Sequence, residues 1–458
     1  MFKRILIANR GEIAVRIIRC CREMGIDTVA VYSSADADAL HVQLAGTAVC
    51  IGPAKAADSY LNYKNILSAA VCYNCDAIHP GFGFLSENSE FAELCETCGI
   101  QFIGPSADII DAMGNKAAAR RLMIEHGVPV VPGSDGSVET AEEAARIADK
   151  IGYPVLIKAA AGGGGRGMRK AFSASEIENA YNSAKAEAIA CFGDGEMYIE
   201  KLILNPRHIE FQIMGDKFGN VVHLGERDCS IQRKNQKLVE ESPSRALTPE
   251  LRARMGADAV KAAKAAGYFS AGTIEFVLSD SGEYYFIEMN TRIQVEHPVT
   301  EWVTGRDLIK EQISVAAGLP LSFKQEDIKL IGHSIECRIN AEDPENGFRP
   351  SPGKISFLHF PGGNGVRVDS ALYCGYETSP FYDSMVAKII VHAPTRLLAI
   401  RKMRRALEEL VIEGIKTNTD LANLIMYHPD FIKGKYNTGF IEKNLDAILG
   451  WGKDIPKE

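Results

Sequence analysis

The stretch Arg4-Ile5-Leu6-Ile7-Ala8-Asn9-Arg10-Gly11-Glu12 sets the reading of the fold. Arg4–Asn9 is a β-type apolar run, and from Glu12 to Met24 the apolar residues recur at helical spacing. The same alternation continues outward. Thr28–Tyr32, Thr47–Ile51, Asp76–His79 and Ile100–Ile103 read as strands; Ala37–Leu44, Tyr60–Cys72 and Glu87–Cys98 read as helices between them. Strand–helix alternation through short Gly or Pro turns predicts a doubly wound parallel sheet in an α/β protein. The first turn lacks a Gly-x-Gly-x-x-Gly pattern, which argues against a dinucleotide site there.

The breaker-rich run Gly127-Val-Pro-Val-Val-Pro-Gly-Ser-Asp-Gly136 marks a hinge. Beyond it a helix (Glu139–Ile151), a strand (Pro154–Lys158), a glycine run, a strand (Met168–Ala171), a helix (Ser175–Ala190) and a strand (Met197–Lys201) make a compact unit suited to a mobile lid. The remainder is strand-rich: His208–Met214, Val221–Glu226, Gly272–Leu278, Glu283–Glu296, Gly332–Asn340 and Val386–His392, with helices at Pro249–Ala266 and Leu397–Leu410. We therefore expect three units: residues 1–114, a lid at 134–203, and an α+β unit at 204–447.

A chain of 458 residues with 46% hydrophobic content can bury a large core, and its size implies more than one domain. A net charge of −8 argues against a nucleic-acid binder that works by neutralising phosphates. The N-terminal apolar run is too short for a signal peptide, and no stretch reaches the ~18–20 uninterrupted apolar residues of a membrane span. A cytoplasmic location without a membrane partner is the expectation. The 11 cysteines are then reduced thiols. Cys72-x-x-Cys75 and Cys95-x-x-Cys98 are spaced as in a zinc ribbon, but each pair falls at a helix end, where cysteines serve as small apolar packers.

Glu283–Glu296 carries the most unusual pattern. In an extended chain, Glu288, Asn290, Arg292, Gln294 and Glu296 share one face. If Ser281-Gly282 is a two-residue hairpin turn, Glu275 stands opposite Glu288. Facing like charges repel, and a divalent cation removes the conflict. With Asn290 close by, the oxygen donors suit magnesium. The run Lys158-Ala-Ala-Ala-Gly162-Gly-Gly-Gly165-Arg-Gly167 connects strand to strand, so it is neither a Rossmann nor a Walker loop. It reads as a flexible flap whose amides can approach phosphates. Lys116, Glu200-Lys201 and the polar run Gln232–Lys237 add further charge.

These residues bring the chain close to a known family. Ile7–Ala14, His79–Asn88, the glycine flap, Glu226–Arg233, Glu288–Pro298 and Glu336–Glu342 occur in an order that resembles the biotin carboxylases of the ATP-grasp superfamily. The resemblance implies that ATP phosphorylates bicarbonate to carboxyphosphate, which releases carbon dioxide to carboxylate biotin. It implies nucleotide contacts at Lys116, Lys158, Gly164, Gly165, Glu200, Lys201, Leu202, Ile203, His208, Asn235, Glu275 and Glu288. It implies magnesium or manganese, two ions, on Glu275, Glu288 and Asn290. Lys237, Arg292, Gln294 and Val295 would hold bicarbonate, Glu296 would deprotonate it, and Arg338 would bind biotin and stabilise its enolate. His297 reads as structural.

Two positions depart from the family pattern: Asn235 stands where many members carry His, and Ala161 where a further glycine is common. No Met-Lys-Met biotin attachment motif occurs. The resemblance therefore implies a homodimeric subunit that works with a separate biotin carboxyl carrier protein and carboxyltransferase subunits, with acetyl-CoA carboxylase as the favoured parent. Two rivals stand beside this reading: an ATP-grasp ligase for another carboxylate, and a nucleotide sensor that kept the fold.

Overall fold

The computed structural model describes residues 1–159 and 167–454, with side chains to residue 451. The opening alternation is β1 (Arg4–Ile7), α1 (Gly11–Glu23), β2 (Asp27–Ser33), α2 (Leu40–Leu44), β3 (Thr47–Gly52), α3 (Tyr63–Cys72), β4 (Ala77–His79), α4 (Ser89–Thr97) and β5 (Gln101–Phe102). Its sheet is parallel, in the order β3-β2-β1-β4-β5. Side chains alternate across a strand. Ile5 and Ile7 accordingly pack with α1, and Leu6 packs on the other face with α3 and α4. This is why the run Ile5–Ala8 has no polar face. The expected helix at Ala37–Leu44 is only the five-residue α2, preceded by a tight turn at Ser34–Asp36. Asp36 is drawn inward there by Arg10 at 2.6 Å and Tyr60 at 2.6 Å.

Helices α5 (Ala107–Gly114) and α6 (Lys116–Glu125) lead to the lid-like unit of α7 (Ala141–Ile151), β6 (Val155–Ala159), β7 (Met168–Ala171), α8 (Ala174–Phe192) and β8 (Met197–Lys201). Its sheet has the order β7-β6-β8 and its own apolar core. The flap residues Ala161, Gly164 and Gly165 lie outside the described residues.

The rest contains β9 (Arg207–Gly215), β10 (Val221–Arg233), β11 (Gln236–Ser242), α9 (Pro249–Ala265), β12 (Ser270–Leu278), β13 (Tyr284–Asn290), α10 (His297–Thr304), α11 (Leu308–Ala316) and β14 (His333–Asn340). Two short pieces, β15 (Glu342–Asp343) and β16 (Arg349–Pro350), pair with each other. The chain ends in β17 (Phe357–His359), β18 (Val366–Ser370), β19 (Met385–Ala393), α12 (Arg396–Glu409), β20 (Val411–Glu413), α13 (Thr419–Tyr427), α14 (Pro429–Lys433) and α15 (Phe440–Asp454). One antiparallel sheet of eight strands, β13-β12-β9-β10-β11-β14-β19-β18, spans this region. Among the described residues, no helix is long and apolar enough to cross a membrane.

Two expectations need correction. β10 runs on to Arg233, well past Glu226, so Gln232–Lys237 is the tip of the β10–β11 hairpin, exposed at Lys234–Gln236. And Glu283–Glu296 is not one strand. β13 stops at Asn290, where the Thr291 amide donates to Glu87 at 3.1 Å and Arg292 pairs with Glu87 at 2.8 Å. The chain is pulled off the sheet edge towards the N-terminal unit, and Glu296 becomes the residue that precedes α10.

Candidate functional site

Glu275 does stand opposite Glu288, though not through the expected turn. The loop closes at Leu278↔Tyr284, with the Ser279 amide donating to the Glu283 carbonyl. That register would place Ile287 opposite Glu275. A bulge at Ile287 moves the pairing by one residue and brings Glu288 there instead.

The centre of the site is Lys237 on β11. Its ammonium lies 2.6 Å from Glu210, 2.6 Å from Glu296 and 3.2 Å from Glu275. Three donors meet three carboxylates, each from a different segment. Burial would lower the Lys237 pKa, but these carboxylates hold it well above its usual value. Burial would raise that of Glu296; Lys237, Arg338 and Arg227 outweigh this and bring it down to about 2. Glu210 and Glu275 are likewise held low against their burial. His208 on β9 sits 3.2 Å from Glu275; burial opposes its charge, yet Glu275 and Glu210 lift it to about 9.

Arg338 on β14 bridges Glu240 at 2.5 Å and Glu296 at 3.0 Å. Glu296 is thus shared between Lys237 and Arg338. Arg292 donates to Asn290 at 2.9 Å, and Asn290 to Glu275 at 2.8 Å. Gln294 donates to Glu275 at 3.0 Å, and the Val295 carbonyl accepts from Lys388 at 2.6 Å. Glu288 lies 3.4 Å from Lys116, the first residue of α6. In the lid unit Lys158 pairs with Glu200 at 2.5 Å. The Lys201 ammonium donates to the carbonyls of Gly152 and Tyr153, and the Leu202 amide to the Pro154 carbonyl. Ile203 is half-buried just beyond β8, and Asn235 is exposed at the β10–β11 tip. His297 is buried, and its ring bonds the Gln294 carbonyl behind the site.

Four partners escaped the sequence reading: Glu87, Glu210, Arg227 and Glu240. Arg227 is fully buried and donates to Glu210, Gln212, Thr300, Thr273 and Gln294, one bond from each of its five N–H groups. A usable signal existed for Glu210. His208-x-Glu210-x-Gln212 is a polar face on a strand whose other face, Ile209, Phe211 and Ile213, is core. For the central strand of a sheet covered on both sides, such a polar face points into a site.

Beside Glu296 opens a cavity of about 530 Å³. Arg292, Val295 and Arg338 line one wall, Asn9, Glu12, Phe82 and Phe84 of the N-terminal unit another, and Met385 a third. Cationic side chains, a carboxylate held ionised and an apolar wall suit an anion plus a flat, weakly polar ring. Glu275 and Glu288 stand opposite each other, with the Asn290 amide nitrogen donating to Glu275 and its oxygen accepting from Arg292; side chains of these oxygen-bearing types fit magnesium or manganese. The cysteines of the two Cys-x-x-Cys pairs divide between core (Cys75, Cys95) and surface (Cys72, Cys98).

A small lid-like sheet, a wide antiparallel sheet carrying acids and bases on its inner face, and hard oxygen donors together define an ATP-dependent ligase of the ATP-grasp fold. Family profiles match in three consecutive pieces: "Biotin carboxylase, N-terminal domain" over residues 1–110, "Carbamoyl-phosphate synthase L chain, ATP binding domain" over 115–324, and "Biotin carboxylase C-terminal domain" over 336–443. The chain is 59% identical to Biotin carboxylase 1 of Bacillus subtilis, across 96% of this chain and 98% of that one. The biotin carboxylase domain dimer of the Hydrogenobacter thermophilus 2-oxoglutarate carboxylase, solved with MgADP, ADP and bicarbonate, superposes with a TM-score of 0.92 at 54% identity, covering 98% of this chain and 99% of that one. A crystal structure of the biotin carboxylase component of pyruvate carboxylase superposes with a TM-score of 0.87, also at 54% identity, covering 98% and 99%. The chain belongs to the biotin carboxylase family.

Proposed function

We propose that this protein carboxylates biotin on a carrier protein, with ATP and bicarbonate, as the biotin carboxylase component of an acetyl-CoA carboxylase. The observation that carries the reading is Glu296, held ionised between Lys237 and Arg338, the latter of which lines the cavity. Bicarbonate is a poor nucleophile until its last proton leaves, so a fixed base beside cationic groups is what the first step needs. Lys237, Arg292, Gln294 and Val295 hold the anion, Glu296 takes its proton, and its oxygen attacks the terminal phosphorus of ATP with release of ADP. Carboxyphosphate then breaks into carbon dioxide and phosphate; the released phosphate takes the N1 proton of biotin, Arg338 carries the charge on the ureido oxygen, and N1 attacks the carbon dioxide. Glu275, Glu288 and Asn290 would hold the magnesium ions, which neutralise phosphate charge when bound.

Lys116, Lys158, Glu200, Lys201, Leu202, Ile203, His208 and Asn235 form the nucleotide side of the site, and the family resemblance adds Gly164 and Gly165 as phosphate contacts. Residues 134–203 act as the lid, which excludes water from an intermediate prone to hydrolysis. The same reading places the protein in the cytoplasm as a homodimer, with a carboxyl carrier protein and carboxyltransferase subunits as partners and malonyl-CoA as the eventual product. A pyruvate or 2-oxoglutarate carboxylase is the second reading, supported by the similarity to the corresponding components of those enzymes. The experiment is transfer of labelled bicarbonate to biotin, free and carrier-bound. ADP release that requires bicarbonate and rises with biotin supports the proposal. ADP release driven by an amino acid and indifferent to bicarbonate overturns it. Acetyl-CoA, pyruvate and 2-oxoglutarate, each supplied with matching carboxyltransferase subunits, separate the parents.

A further inference from the structure

Lys388 on β19 is fully buried, yet none of the roles above uses it. Its ammonium donates to the Val295 carbonyl at 2.6 Å, pairs with Glu12 of α1 at 3.1 Å and lies 3.9 Å from Asp369 of β18. Across the sheet it stands directly between Arg338 on β14 and Asp369. A buried lysine is costly to keep charged. Burial does lower its pKa, but Glu12, Glu336 and Asp369 more than compensate, so the group remains an ammonium.

Its principal neutral partner is also informative. Val295 belongs to the segment 291–296, which has left the sheet and has no ladder to fix it. On the nucleotide side the Gln294 side chain anchors that segment through Arg227 and Glu275. On the cavity side the Glu296 side chain is held by Lys237 and Arg338, and the backbone one residue before it by the bond from Lys388 to the Val295 carbonyl. Val295 and Glu12 both line the cavity, and Lys388 joins them from behind.

We propose that Lys388 is a positioning residue: braced by Glu12 and Asp369, it sets the height of the Val295–Glu296 backbone and thereby ties the N-terminal unit to the anion pocket. The inference rests on the bicarbonate reading of that pocket. Without the bond, the Val295 carbonyl can shift, while Glu296 keeps Lys237 and Arg338 and the nucleotide side stays anchored. The loss therefore falls on bicarbonate and not on ATP.

The test is steady-state kinetics of the full chain with ATP, bicarbonate and free biotin. Lys388→Met should raise the KM for bicarbonate at least tenfold and leave the KM for ATP within twofold. Glu12→Gln keeps the bond to Val295 and loosens only the brace, so a rise of about threefold is expected. A wild-type bicarbonate KM in Lys388→Met overturns the inference, as does an equal rise in both KM values, which is the signature of a merely structural role. If Lys388→Met does not fold, Glu12→Gln and Asp369→Asn decide by the same criterion. A wild-type enzyme whose ADP release ignores bicarbonate overturns the functional reading itself, and the inference with it.

Discussion

Glu296 shows how much one carboxylate can owe to its neighbours. It is almost wholly buried, and burial by itself pushes its pKa up. Lys237 and Arg338 keep it ionised. Glu296→Gln keeps the shape and removes the base, so kcat should fall by about 10²–10⁴-fold, a typical contribution of general base catalysis. Glu336 is the opposite case. It is buried, directly opposite Glu240 on β11, and neither of its oxygens has a hydrogen-bond partner among the described residues. Burial, with Glu240 and Glu296 adding to it, raises its pKa well above the usual value against the pull of Lys388 and Arg338. A raised carboxyl contributes stability below its unfolded pKa, and that contribution is lost as the pH rises. Glu336→Gln should therefore raise the urea midpoint at pH 8 and leave it nearly unchanged at pH 4. The chemistry-bearing types in Glu288–Glu296 could be recognised in the sequence. Their partners Glu87 and Glu240 could not, because they come from other segments; Glu210 left a signal only in the polar face of its strand.

At the scale of elements, the β10–β11 hairpin turns on Lys234 and Asn235, both at positive φ (48° and 64°), as a two-residue turn of the mirror-image type requires. Lysine is strained there. Lys234→Gly should stabilise the protein by about 0.5–1 kcal/mol, the relief of left-handed strain less the added entropy of the unfolded chain, measured by urea unfolding. Asn235→Gly separates two roles. The turn tolerates it, so the melting temperature should hold; if Asn235 contacts the nucleotide as proposed, the KM for ATP should rise severalfold. Most strands and helices were legible to within a few residues, because period-2 and period-3.6 patterns reflect burial directly. The bulge at Ile287 was not legible. It depends on how β13 bends to keep Phe286 in the core while Glu288 faces Glu275.

Across the whole molecule, buried ion pairs tie the first hundred residues to the large sheet. Glu301 of α10 accepts Arg16 of α1 at 2.9 Å and Arg367 of β18 at 2.6 Å. Glu301→Ala takes one of two carboxylate partners from each of two half-buried guanidinium groups. A loss of about 3 kcal/mol is expected, the lower end for a broken buried pair, since Arg16 keeps Asp307 and Arg367 keeps Asp369. Urea unfolding of the variant checks it. Acid stability follows from the same network. Glu210, Glu241, Glu275, Glu296, Asp36 and Asp369 are all held below their unfolded values. Their contribution is complete above about pH 4.5 and is lost as the pH falls through the folded pKa values, so the urea midpoint should drop steeply from pH 4.5 towards pH 2.

The sequence by itself determined the parallel N-terminal sheet, the order of the strands' appearance and the residue types of the site. Each is written locally, in periodicity, in glycine and proline breaks and in short motifs. The opposition of Glu275 and Glu288 was legible too, although the turn behind it was not. Only the tertiary structure decided where β13 ends, because the Glu87 that captures Thr291 and Arg292 lies some two hundred residues earlier in the chain. Only it showed that Lys237 meets three glutamates from three segments and that Lys388 holds Val295 from behind. Burying a charge is unfavourable unless its partners converge on it, and convergence between distant segments is a property of packing.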